Sequence, residues 1–126
     1  MASELRAAVV GVGHLGRHHV RLLSEMPDVD LVGVVDINHE RARTVAGDFG
    51  TNVIVDVCSL ADQIDAVVVA VPTIDHVRVA TPLLTAGISV LVEKPMASSA
   101  VEADDLLKAS TASGATLAVG HTERHN

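Results

Sequence analysis

Apolar runs of strand length recur along the chain at positions 5–10, 30–36, 52–56, 65–71, 89–93 and 116–120. They are continuous rather than alternating, and rich in valine. That pattern marks strands covered on both faces, which predicts a parallel sheet with helices on each side. The intervening segments have helical spacing. In 14–26, Leu15, Leu22 and Met26 share a face, with Arg17 and Arg21 projecting elsewhere. Segment 38–49 opens on a capping asparagine, Asn38, and is followed by Gly50. Segment 74–86 stops before Gly87, and Pro82 within it predicts a kink or a fresh helical start. Segment 99–112 carries Val101, Leu106 and Leu107 and ends near Gly114. Strand and helix alternate steadily, so the fold class is α/β: an open, doubly wound sheet of about six strands joined by right-handed crossovers. The connection at 57–63 is the weak link in this alternation.

The chain has 126 residues, room for one domain and one compact core, and the whole of 1–126 is read as that domain. Apolar residues make up 48% of it while Phe49 is the only aromatic, so the core is aliphatic and closely packed. The net charge of -7 and the lack of aromatic stacking platforms oppose binding to nucleic acid or anionic membrane. The longest apolar run, Ala66 to Val71, is far short of the roughly 20 residues a membrane helix needs. The N-terminus enters a strand pattern with no secretory signal, so a cytoplasmic protein is expected. Cys58 is the single cysteine and reads as a small apolar filler. After the last strand, "VGHTERHN" stops with neither a helix nor a polar tail, as if a further domain should begin there.

The first strand leads into "GVGHLG", with Gly11, Gly13 and Gly16 in G-x-G-x-x-G spacing around His14 and Leu15. Glycines suit a tight turn, a close approach of main chain to a pyrophosphate, and close helix–strand packing, with the helix N-terminus facing the anion. Such glycines also punctuate ordinary turns. Here they follow a buried strand and open a helix, and Asp36 ends the second strand twenty residues after Gly16. A carboxylate there can accept hydrogen bonds from both adenosine ribose hydroxyls. It would also repel a 2'-phosphate, and Ile37 and Asn38 offer no compensating arginine, so NAD is expected over NADP. Arg41 and Arg43 on the next helix could still reach around. His14, His18 and His19 raise the alternative of a metal site, but no third ligand of the HExxH type accompanies them, and no metal is assigned. His14 is kept as a residue of the cofactor cleft.

The fourth predicted strand ends in "VAVPTIDH". Pro72 breaks it where open α/β sheets bind ligands, which brings Pro72, Thr73 and His76 towards the cofactor. The alternative is a helix cap for Thr73 and a first-turn polar residue for His76. The fifth leads into Glu93, Lys94 and Pro95. Adjacent strand residues point to opposite faces, so Glu93 and Lys94 can serve different partners. An ordinary lysine is a poor base; desolvation and a neighbouring nicotinamide cation would improve it. Taken alone, a charged pair leaving a strand is more often a solvated loop.

In order and spacing, "GVGHLG", "VVD", "VAVPTIDH", "AGISVLVEKP" and "VGHTER" resemble the cofactor domain of the Gfo/Idh/MocA family of sugar and inositol dehydrogenases, over essentially the whole chain. The block from Ala86 to Pro95 is the most specific part. The resemblance implies a Rossmann-type NAD-binding domain with Glu93 near the nicotinamide ribose, Lys94 at the reacting carbon as the catalytic residue, and a Lys94–Pro95 bond that is a candidate for cis. "VGHLGRHH" and "VGHTER" look like the branch acting on nucleotide sugars, including UDP-N-acetylglucosamine 3-dehydrogenases. Family members have Phe-Asn-Pro after the arginine, where this chain has His125 and Asn126. They also continue into a second domain that supplies the substrate pocket, the main general base and much of a homo-oligomer interface. With that substrate domain absent, the chain is expected to carry half of an active site, to turn nothing over alone, and to expose an apolar face at its last strand. A module that binds NAD(H) without catalysis is the alternative.

Overall fold

The computed structural model describes residues 4–120. Five parallel strands form one sheet in the order β2-β1-β3-β4-β5, with β1 Leu5–Val10, β2 Val29–Val35, β3 Ala66–Val69, β4 Ser89–Glu93 and β5 Leu117–Gly120. Four helices connect them: α1 His14–Glu25, α2 His39–Phe49, α3 His76–Thr85 and α4 Ala100–Ser113. The strand order reverses at β1, since the chain runs from β1 out to β2 and then back across β1 to β3. Such a reversal opens a crevice at the carboxyl ends of the two diverging strands.

Strand alternation divides the core. Ala8, Val10, Val67, Val69, Val90 and Val92 pack with Ala80, Leu83 and Leu84 of α3 and Leu106 of α4. Their neighbours Val9, Val34 and Val68 pack on the other face with Val20 of α1 and Val45 of α2. Both faces of the central strands β1, β3 and β4 are therefore covered, and their valine-rich runs have no polar side to show. Helix ends follow local chemistry. Asn38 Oδ1 accepts from the main-chain N of Arg41, and α2 closes on Gly50 at φ 66°.

Two expectations are corrected. The predicted strand at 52–56 is reduced to a single bridge between Val34 and Val53, giving five strands in place of about six. Side chains occupy carbonyls along the margin of β2 instead: Thr51 Oγ1 donates to Leu31 O at 2.8 Å and Asn52 Nδ2 to Val32 O at 3.1 Å. The chain then turns into a 3-10 segment, Val57–Gln63, capped by Asp56, whose side chain accepts from Cys58 N. Pro82 neither kinks nor restarts α3. It lies in the last turn, where its carbonyl accepts from Ala86 N at 3.0 Å, and the helix is preceded by a 3-10 turn at Thr73–Asp75. The "HTER" end of the sequence lies outside the described residues.

Candidate functional site

The turn between β1 and α1 is built on glycine. Gly11 has φ +89°, and a Cβ there would lie 2.9 Å from the Ala70 carbonyl group, so both conformation and space exclude a side chain. A Cβ on Gly16 would collide with the Gly11 carbonyl, so α1 packs directly onto the turn. Gly13 differs. Nothing lies within 4 Å of its Cβ position, and its main chain faces open space. It is also the N-cap of α1, with no capping side chain and no acidic residue in the first turn. The helix thus offers unsatisfied N–H groups and the positive end of its dipole at a bare backbone, an arrangement suited to an anion.

Asp36 follows β2 and is 8% exposed. Its Oδ2 accepts from Val12 N at 2.8 Å and its Oδ1 from Asn38 N at 2.8 Å. Arg41 adds a two-pronged contact, Nε to Oδ2 at 3.2 Å and Nη2 to Oδ1 at 3.1 Å. Burial pushes the carboxyl's pKa upward, but the hydrogen bonds from Arg41 and the two main-chain donors outweigh it and hold the group below its ordinary range. Gly11, Gly13, Asp36, Arg41 and Pro72 share one cavity of about 640 Å³ with Arg78 on α3, which pairs with Asp75 at 3.2 Å. Its volume is that of a small-molecule site, and it sits at the reversal point of the sheet.

The remaining predicted residues separate. His14 is exposed and Leu15 and Thr73 half-buried, and none of the three lines that cavity. His76 is 2% exposed, with Nδ1 3.0 Å from Met96 O and Nε2 3.0 Å from Val71 O. Its ring ties the exit of β3 to the loop after β4 rather than facing open space. Glu93 closes β4 on the face that packs α1, and His19 Nε2 donates to its Oε1 at 2.6 Å. Lys94 is exposed, its main-chain N donates to Gly120 O at 3.0 Å, and the Lys94–Pro95 bond is cis.

The histidines of α1 point to different partners: Arg21 donates to His18 Nδ1 at 3.2 Å, while His19 meets Glu93. Among the described residues no three His, Cys, Asp or Glu side chains converge on a metal geometry. Sequence reasoning missed the His19–Glu93 pair, whose members are 74 positions apart. A buried acid at a strand end requires a donor, which was the available signal. Gly33 was missed too; its Cβ would meet Ile54 and the Asn52 carbonyl at 2.6 to 2.7 Å.

Comparison with known proteins gives a consistent set. The model of the GFO_IDH_MocA family, described as an oxidoreductase family with an NAD-binding Rossmann fold, matches residues 5–121. UDP-N-acetylglucosamine 3-dehydrogenase of Acidithiobacillus ferrooxidans is 38% identical over 121 residues, covering 96% of this chain and 38% of that protein. Inositol 2-dehydrogenase of Rhizobium meliloti is 32% identical over 95% of the chain and 37% of its own length. The crystal structure of GenD2 from gentamicin A biosynthesis, in complex with NAD, superposes with a TM-score of 0.88 at 37% identity, over 95% of this chain and 35% of that one. The chain thus spans well under half the length of these relatives.

Proposed function

Since the chain belongs to the Gfo/Idh/MocA oxidoreductase family, as its NAD-binding Rossmann domain, we propose that residues 1–126 form the cofactor wall of a dehydrogenase that oxidises a secondary alcohol of a sugar, inositol or nucleotide sugar. One observation carries this reading: the bare backbone at Gly13 and the anchored carboxylate of Asp36 face a single cavity. A dinucleotide needs both, an anion cradle for its pyrophosphate and an acceptor for its ribose diol. Gly11, Gly13 and Gly16 shape the cradle, with His14 and Leu15 in the first turn of α1 beside it. Pro72 and Thr73 border the path towards Glu93 and Lys94, and His76 fixes that border from behind.

When bound, NAD supplies the hydride acceptor at its nicotinamide ring. The chain's own residues do the rest. Asp36 orients the adenosine end and favours NAD over NADP. Glu93, held by His19, serves the nicotinamide ribose. Lys94 Nζ holds or moves the proton of the substrate hydroxyl. Lys94 is exposed, so nothing among the described residues encloses the carbon it would serve, and the 126-residue chain is expected to bind NAD(H) with little or no turnover. The likeness to UDP-N-acetylglucosamine 3-dehydrogenase favours a nucleotide sugar as substrate of the parent enzyme. The reading extends to a homo-oligomer, because β5, at the edge of the described sheet, leaves Val119 47% exposed; no helix among the described residues is long and apolar enough to cross a membrane.

Titration of the chain with NADH, followed by nicotinamide fluorescence, tests the premise. Saturable binding is expected, weakened about tenfold by Asp36→Asn, which keeps one neutral acceptor oxygen and sets an NH2 donor in place of the other. Absence of saturable binding to the wild-type chain would sink the assignment.

A further inference from the structure

We propose that Arg41 is a competing occupant of the ribose-diol acceptor, and that it thereby sets both the affinity of the site for NAD(H) and its tolerance of a 2'-phosphate. The proposal rests on the reading of Asp36 as that acceptor. A carboxylate offers about four lone-pair sites. Val12 N and Arg41 Nε take two on Oδ2, while Asn38 N and Arg41 Nη2 take two on Oδ1. The carboxylate is therefore saturated before any ligand arrives.

The four donors are not equally replaceable. Val12 N belongs to the turn after β1, and Asn38 N to the main chain that opens α2. Neither can leave without unmaking the fold around it. The Arg41 side chain is 49% exposed against 3% for that of Asp36, and it sits on a flexible stem. A ribose diol brings two hydroxyl donors, the number of contacts that Arg41 makes. Binding is thus an exchange in which the guanidinium withdraws and two hydroxyls take its place.

Withdrawal leaves Arg41 on the first turn of α2, beside the cavity it already lines. A guanidinium pairs with phosphate in two-pronged fashion. The same side chain therefore acts oppositely on the two cofactors, competing with the diol of NADH and partnering the 2'-phosphate of NADPH. Asp36 still repels that phosphate, so NAD remains preferred, by a narrower margin than a lone carboxylate would set.

The test is the Kd for NADH and for NADPH, measured by nicotinamide fluorescence at fixed ionic strength on wild type, Arg41→Ala, Arg41→Lys and Asp36→Asn. The alanine variant keeps the helix cap, because Asn38 accepts from the main-chain N of residue 41. Arg41→Ala should bind NADH about two- to fivefold tighter, the scale expected for removing a half-exposed ionic competitor, and NADPH at least about twofold weaker. Arg41→Lys retains the charge without the fork, and its NADH affinity should fall between the two. If Arg41→Ala binds NADH no tighter than wild type while Asp36→Asn weakens it, the competing role is refuted and the ribose acceptor stands. If Asp36→Asn leaves NADH binding unchanged, the acceptor itself is misassigned and the proposal falls with it.

Discussion

Gly13→Ala separates the proposed ligand contact from fold stability more cleanly than any other glycine change in the turn between β1 and α1. Its φ of -68° and ψ of -159° are extended backbone at the margin of the region other residues occupy, and no atom lies within 4 Å of the added methyl. The fold therefore has little reason to object. The expected loss is the preference for glycine over alanine at an N-cap, about 0.5–1 kcal/mol, or a few degrees in Tm. The ligand does have reason. A methyl projecting about 1.5 Å from the main chain holds a pyrophosphate oxygen off the N–H groups of α1, breaking one or two charge-assisted hydrogen bonds at about 1.5–3 kcal/mol each. NADH affinity should fall roughly tenfold to a hundredfold or more. Gly16→Ala is the contrasting control: its methyl collides with the Gly11 carbonyl, so overpacking of about 1–3 kcal/mol should lower Tm whether or not ligand is present. The assays are a fluorescence titration with NADH and a thermal melt followed by circular dichroism. A Gly13→Ala chain that binds NADH as tightly as wild type would refute the argument, because the pyrophosphate would then not pass over this turn.

Three further outcomes are expected. The Asp36 carboxyl titrates below its ordinary range, so the folded chain binds fewer protons there than the unfolded one. The resulting stability is complete above the unfolded value and is lost as pH falls through the folded one; denaturant melts between pH 7 and pH 3 should show this loss for wild type and a smaller one for Asp36→Asn. His76→Phe keeps an aromatic ring of slightly larger size but leaves the Val71 and Met96 carbonyls without their polar partner, which should lower stability by about 1–3 kcal/mol in the same melts. In a full-length parent enzyme, Lys94→Met should retain NADH binding while lowering kcat by about a hundredfold or more, and unchanged turnover would remove Lys94 from the chemistry.

The parts of the fold that were legible in the sequence are those fixed by local rules. "GVGHLG" after a valine run specifies a turn and a helix start through sterics within one short segment, and β1, the turn and α1 lie where that pattern places them. The position of Asp36 was readable because it directly follows the valine run that forms β2. The segment 52–56 misled for a reason that apolar patterning does not carry. Whether a run of such residues forms a ladder depends on what the neighbouring edge has free, and Thr51 and Asn52 spend their side chains on the carbonyls of Leu31 and Val32. Pro82 is tolerated because it stands in the final turn of α3. The partners of the candidate site were the least legible. His19 and Glu93 meet only because α1 and β4 pack on one face of the sheet, and His76 finds its two carbonyls on loops that the chain visits before and after α3. Spacing along the sequence encodes neither meeting.

Because the Val12 amide donates to Asp36 and the Gly11 amide to the carbonyl of Val35 beside it, the turn after β1 and the end of β2 are fastened together, and the proposed phosphate cradle and ribose acceptor would behave as one part. Altering cofactor preference by truncating position 36, the obvious engineering route, would therefore also slacken the turn and weaken the grip on every dinucleotide alike. A successful exchange has to bring a new acceptor for Val12 along with the new specificity, which limits the substitutions open at position 36 to side chains, such as serine or asparagine, that still present an oxygen to that amide.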